Sequence, residues 1–111
     1  MKYKAWLVVK GFGQHPRQDY LETHSPVVRI ELIRAIIAIT TAKHLLMQQM
    51  DIKGAYLNGT HKETIYMCQP DGFDDGTRRA CHLIKTLYGL KQSGQEWNTE
   101  FDEKIQQHGY K

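Results

Sequence analysis

Met50-Asp51-Ile52-Lys53-Gly54-Ala55-Tyr56-Leu57-Asn58-Gly59 puts one carboxylate at the end of an apolar run and an aromatic ring five residues later, with a glycine between them. Residues 45–52 read as a largely buried strand with Asp51 near its carboxyl end, where loops and ligands usually meet. Such a strand would hold the acid rigidly toward a divalent cation. The turn after it would bring backbone and the Tyr56 ring beside whatever that cation binds. The spacing suits metal-assisted nucleotidyl transfer, although one carboxylate does not complete a site of that kind. Without other support, Asp51 is more often a strand-end turn residue or helix cap, and Tyr56 more often a packing aromatic.

Upstream, residues 4–10 read as a strand ended by Gly11-Phe12-Gly13, and a polar loop with His15, Pro16, Arg17 and Asp19 runs on to Ser25-Pro26. Ile30, Ile33, Ile36, Ile37 and Thr40 recur at helical spacing, which predicts a helix over 29–43 that packs through its isoleucines. Downstream, 63–69 and 80–85 read as two strands of a hairpin around Pro70-Asp71-Gly72-Phe73-Asp74-Asp75-Gly76, with Ile65 opposite Ile84. Ser93 and Glu96 have capping-box spacing, Trp97, Phe101 and Ile105 form an i, i+4, i+8 stripe, and Gly109 is a stop, so a helix is expected over 94–108. The order predicts an α/β (α+β) fold in a single domain over 1–111. A chain of this size buries roughly two-thirds of its unfolded surface.

Composition excludes several classes. With 41% hydrophobic and 24% charged residues the chain is neither disordered nor fibrous. Its longest apolar run, Ala35-Ile36-Ile37-Ala38-Ile39, is too short to span a bilayer, and no signal-peptide pattern opens it, so no membrane partner is expected. The net charge of +3 is compatible with a polyanionic partner without demonstrating one. Lys2, Lys4 and Lys10 nevertheless precede the first acid, Asp19, which makes the amino-terminal segment the most cationic; lysines on an edge strand that merely block pairing would look the same. Cys68 and Cys81 lack zinc-site spacing and are read as reduced thiols of an intracellular protein, cytoplasmic or nuclear, facing each other across the hairpin. Six scattered histidines suggest no hydrolase arrangement.

Five ordered blocks carry a resemblance. They are Lys4-Ala5-Trp6-Leu7-Val8-Val9-Lys10-Gly11-Phe12, Ser25-Pro26-Val27-Val28-Arg29, the stretch 50–59, Ile65-Tyr66-Met67 with Gln69-Pro70-Asp71-Gly72-Phe73, and Leu87-Tyr88-Gly89-Leu90-Lys91-Gln92. Together they resemble the reverse transcriptase of copia-type retrotransposons, an RNA-directed DNA polymerase with a right-hand architecture. The resemblance implies that this chain is a partial domain, the fingers plus the first part of the palm. It further implies an RNA/DNA primer-template and a deoxynucleoside triphosphate as partners, Mg2+ as cofactor, and the rest of a retrotransposon polyprotein as covalent context.

Carried over by position, Asp51 matches the first catalytic, metal-binding aspartate, and the Ile52 carbonyl would be a neighbouring oxygen ligand. Tyr56 matches the steric gate that excludes a 2'-hydroxyl. Gly89 and Lys91 lie in the block that lines the nucleotide and template side, where glycine permits close backbone approach. Lys4 and Lys10 are candidates for phosphate contacts. The family's remaining acids come from a Tyr-x-Asp-Asp hairpin after the Trp97 helix, and the chain stops at Lys111 before reaching one, so an inactive fragment is expected, a decayed or truncated copy. Phe73-Asp74-Asp75-Gly76 is read as turn chemistry and not as a substitute. Trp6 stands where the family usually has arginine, and Gly94-Gln95 where it usually has proline and arginine. A nucleic-acid-binding remnant without catalysis, or a pseudogene product without function, are the alternatives.

Overall fold

A computed structural model describes residues 1–110. The isoleucine-rich segment forms helix α1 over Ile30–Ala42, and His44 in the left-handed region (φ 51°) turns the chain out of it. Two strands follow, β1 over Thr60–Cys68 and β2 over Ala80–Lys85, and then helix α2 over Ser93–Gln107. Short 3-10 turns occupy Gly11–Gly13 and Ala55–Asn58. The mixed α+β character is as expected, and both helices lie within a residue of their expected limits.

β1 and β2 pair antiparallel, with Ile65 opposite Leu83 and not Ile84. A one-residue slip exchanges the two faces of a strand. In the observed register Ile65 is 8% exposed, whereas Ile84 is 70% exposed on the outer face. The same register puts Cys81 opposite Met67 and Cys68 opposite Ala80, so the two thiols lie on opposite faces of the hairpin instead of meeting across it.

The register also breaks inside β1. Four residues separate Thr60 from Ile65, while one separates their partners Lys85 and Leu83, so β1 bulges over 61–64. Plain alternation with Ile65 puts His61 and Glu63 on the inner face, and the bulge frees the Lys62 N–H from the ladder. Glu96, in the first turn of α2, takes up both consequences. Its carboxylate accepts from Lys62 N at 3.3 Å and lies 2.8 Å from His61 Nδ1. The Ser93-to-Glu96 capping box therefore does not form. Ser93 Oγ donates to the Leu87 carbonyl at 2.6 Å, and no side chain caps the helix start. Glu96 reaches across to β1 because that strand offers it a donor and an imidazole, whereas a capping role would offer one N–H.

Two expected strands are absent. Residues 45–52 and 4–10 are irregular, and β1 is hydrogen-bonded to β2 alone. Residues 4–10 keep one backbone bond of note, Val9 N to Tyr88 O at 2.8 Å. A strand is defined by its ladder, and among the described residues neither segment has one, whatever its apolar content. The isoleucines of α1 likewise meet no partner, for no residue of that helix is buried. The Cα radius of gyration is 18.3 Å, against about 13 Å for a compact chain of this length.

The buried centre lies between β1, residues 86–93 and the start of α2. Its apolar members are Ile65 and Leu90, and its polar members are Thr86, Gln92, Ser93 and Glu96. The amino-terminal segment docks beside it by backbone-to-backbone contact. A Cβ on Gly89, whose φ is +98°, would lie 2.0 Å from the Val9 carbonyl oxygen, and one on Gly11 would lie 1.9 Å from the Gly89 oxygen.

Gly89→Ala should therefore displace the amino-terminal segment and lower stability by about 2 kcal/mol in denaturant titration. Gly13→Ala, with nothing within 4 Å of the added carbon, should change it by less than about 0.5 kcal/mol. Equal effects would contradict the close approach.

Burial pushes the Glu96 carboxyl above its ordinary value, against the opposing pull of His61 and the Lys62 N–H. A raised carboxyl pKa contributes stability below the unfolded value, near 4.5, and loses it as pH rises through the folded value. Relative to Glu96→Gln, the wild type should lose thermal stability as pH rises from about 4 to about 7. A difference in Tm that does not change with pH would refute this.

Candidate functional site

The turn after Asp51 is made by Gly54 in the left-handed conformation (φ 61°), which lets Ala55–Asn58 coil into a 3-10 turn. Leu57 N donates to Gly54 O at 2.9 Å, the Asn58 amide donates to the same oxygen at 3.2 Å, and Gly59 N donates to Tyr56 O at 3.0 Å. Thr86, fully buried, fastens this turn to the rest of the molecule. Its hydroxyl donates to Tyr56 O and its N–H donates to Gly59 O at 3.1 Å. A Cβ on Gly59 would lie 3.0 Å from the Thr86 side chain, so the glycine is what admits the threonine so closely.

Thr86 immediately precedes the block 87–92, so the same tie brings the Tyr56 ring onto Tyr88, with centroids 4.8 Å apart. Trp6 meets the other side of this pair edge to face, 5.1 Å from Tyr88. Lys4 and Trp6 line a cavity of about 490 Å3 with Leu57, Leu87 and Tyr88. The first atom of a side chain on Gly94 would lie 3.4 Å from Ser25 Cβ and 3.7 Å from the Tyr56 hydroxyl, so Ser25 and Tyr56 both come against the start of α2. Four of the five sequence blocks thus converge around Tyr56 and Tyr88. The β1 block stands behind them through Ile65.

The other expected site residues are placed differently. Asp51 and Ile52 lie in exposed irregular chain, and among the described residues Asp51 takes part in no hydrogen bond or ion pair. Lys91 is turned to the loop 14–20. Its N–H donates to Gln14 Oε1 at 2.9 Å, and its ammonium lies 5.8 Å from the centre of the Tyr20 ring. Gly89 has its tight approach, but the backbone it admits is the protein's own.

Gln92 is the polar residue that sequence reasoning left without a role. It is 2% exposed, accepts from Gln14 Nε2 at 3.0 Å, and donates to Asp19 O at 3.1 Å and to Glu63 Oε2 at 3.3 Å. Glu63 in turn accepts from Leu21 N at 3.0 Å. One amide therefore joins the loop 14–21, β1 and the 87–92 block. Nothing in the local pattern around Gln92 announces this, since all its partners are distant in sequence.

The loop 70–79 is built as a turn. Asp74 accepts from Gly76 N at 2.9 Å, and Asp75 accepts from Thr77 and Gln69 and pairs with Arg79. The Thr77 hydroxyl first, then the Gln69 amide, the Thr77 N–H and the Arg79 guanidinium, hold the Asp75 carboxyl well below the usual carboxylate range. Both aspartates are thus used within the loop.

Among the described residues no three His, Cys, Asp or Glu side chains gather to hold an ion. One carboxylate and one carbonyl fall short of the near-octahedral oxygen set that Mg2+ demands. These residues alone do not fit a complete Mg2+ site.

No helix among the described residues is long and apolar enough to cross a membrane. No solved structure matches the chain. The chain is 44% identical over 104 residues to the retrovirus-related Pol polyprotein from transposon TNT 1-94 of Nicotiana tabacum, an alignment covering 92% of this chain and 8% of that polyprotein. It is 43% and 42% identical over 101 residues to the Pol polyproteins from transposons RE1 and RE2 of Arabidopsis thaliana, covering 89% of this chain and 7% of each. It thus spans less than a tenth of the length of these curated relatives. The family model described as reverse transcriptase (RNA-dependent DNA polymerase) matches residues 1–111, and with these copia-type Pol polyproteins as relatives the chain belongs to that family.

Proposed function

We propose that this chain is the fingers and first palm portion of a retrotransposon Pol polyprotein, and that its parent activity is template-directed DNA synthesis from deoxynucleoside triphosphates on an RNA/DNA primer-template. The observation that carries the reading is the Thr86 tie, which sets Tyr56 against Tyr88 at the head of the 87–92 block. The tie fixes the Tyr56 backbone and Tyr88 packs against its ring, and a steric gate against a 2'-hydroxyl requires such support. Lys4, in the cavity wall beside Tyr88, is the nucleotide-side side chain of this reading, and Gly89 and Lys91 belong to it through the 87–92 block that carries Tyr88. Asp51 and the Ile52 carbonyl would supply two of the oxygens that Mg2+ needs, and further carboxylates would have to join them. No Tyr-x-Asp-Asp motif occurs within these 111 residues, so the isolated chain is inactive. Free Cys68 and Cys81 suit a reducing intracellular compartment.

The test grafts residues 1–111 in place of the matching segment of the tobacco polyprotein. The graft should extend a primed RNA template. Tyr56→Ala should raise ribonucleotide incorporation at least about ten-fold while deoxynucleotide incorporation persists, and Asp51→Asn should lower synthesis by a factor on the order of a thousand. Unchanged sugar selectivity in the first variant, or full synthesis in the second, would remove that residue from its role. Primer extension by the isolated chain, lost on Asp51→Asn, would overturn its inactivity.

The exposed lysines favour a second reading, a nucleic-acid-binding segment without catalysis. Binding that weakens steeply between low and moderate salt, together with a grafted polyprotein that makes no DNA, would select it.

A further inference from the structure

Tyr3, Lys4 and Trp6 border the cavity of about 490 Å3 on one side, and Leu57, Leu87 and Tyr88 border it on the other. Its volume lies within the roughly 300–1,000 Å3 common for ligand sites. Trp6 is 56% exposed, yet it is not a loose surface ring. Its edge-to-face contact with Tyr88, at 5.1 Å and 78°, fixes its plane, and Tyr88 is itself backed by Tyr56 at 4.8 Å. The segment's backbone is tethered nearby through Val9 N and the Gly11–Gly89 approach. One part of the indole is therefore held by protein, while more than half of the residue faces solvent.

Charge says what would meet it. Rings and ammonium groups are interleaved in Lys2-Tyr3-Lys4-Ala5-Trp6, and no acid occurs before Asp19. A plain apolar peptide would leave Lys4 in the cavity wall without a counterpart. A flat aromatic group carried on phosphate satisfies both features: the base stacks on the ring, and the phosphate meets the cation. Arginine, the residue expected at position 6 from the resemblance, would offer a fork for phosphate, whereas tryptophan offers a π face and leaves phosphate to lysine.

We propose that Trp6, backed by Tyr88 and flanked by Lys4, is a stacking site for an unpaired base of single-stranded nucleic acid. The proposal rests on the reading of this chain as part of a nucleic-acid enzyme, and adds a residue that discriminates unpaired bases from bare backbone.

The probes are a fluorescein-labelled oligodeoxythymidine and an abasic strand of equal length and charge, titrated by anisotropy onto the 111-residue chain. Oligodeoxythymidine should bind about ten-fold more tightly than the abasic strand, and in Trp97→Phe it should quench the remaining Trp6 emission. Trp6→Ala should abolish the preference while the abasic strand still binds, Trp6→Phe should keep most of it, and Lys4→Ala should weaken both strands alike. Equal affinity for the two strands overturns the stacking site and leaves the nucleic-acid reading standing. Binding of neither strand overturns the stacking site and the binding reading together. Quenching by deoxythymidine triphosphate but not by the strand also overturns the proposal, since the site would then take a free nucleotide.

Discussion

Thr86 makes two hydrogen bonds on which the arrangement around Tyr56 depends. Its hydroxyl and its N–H are spent on the carbonyls of Tyr56 and Gly59, and both carbonyls belong to the turn that follows Asp51. Without these bonds the turn would have Gly54 at one end and β1 at the other, with nothing to set its distance from the 87–92 block. Valine would match threonine in shape but would leave the Tyr56 carbonyl with the Gly59 N–H alone and cut one of the two ties to the turn. The bond therefore selects threonine by chemistry, and Gly59 selects itself by leaving room for it.

The buried centre is more polar than that of most small folds. Two apolar residues, Ile65 and Leu90, share it with Thr86, Gln92, Ser93 and Glu96. Buried polar groups tolerate fewer alternatives than buried methyl groups, because each must find its donor or acceptor. Gln92 and Glu96 accordingly determine which segments meet, and the apolar pair contributes only modestly to holding them. The large radius of gyration and the uncovered α1 show where apolar surface remains available.

Elements that depend on their own residues were legible in the sequence. The i, i+4, i+8 stripe of Trp97, Phe101 and Ile105 and the glycine stop at Gly109 locate α2, and the isoleucine spacing locates α1. Elements that depend on a partner were not. Residues 45–52 have strand composition without a ladder, and Ile65 faces Leu83 where composition alone fits Ile84 equally well, because both are apolar and the loop between the strands does not fix their offset. Glu96 shows the same limit, since its spacing from Ser93 fits a local cap while its actual donors lie on β1. At the site, motif order pointed to Tyr56 and the 87–92 block, and the structure brings their rings together. The hub at Gln92 stayed hidden because its partners lie 29 to 78 positions away.

Gly11 and Gly89 fill one gap from opposite sides, each lying where the other's neighbourhood would have to yield. Once Gly89 acquires a methyl group the two backbones separate and one on Gly11 meets less resistance, but the reverse does not hold, because φ +98° strains any side chain at 89 whatever the space. Natural variation should therefore be lopsided: a lineage that has lost Gly89 is released from keeping Gly11, whereas one that has lost Gly11 still needs glycine at 89.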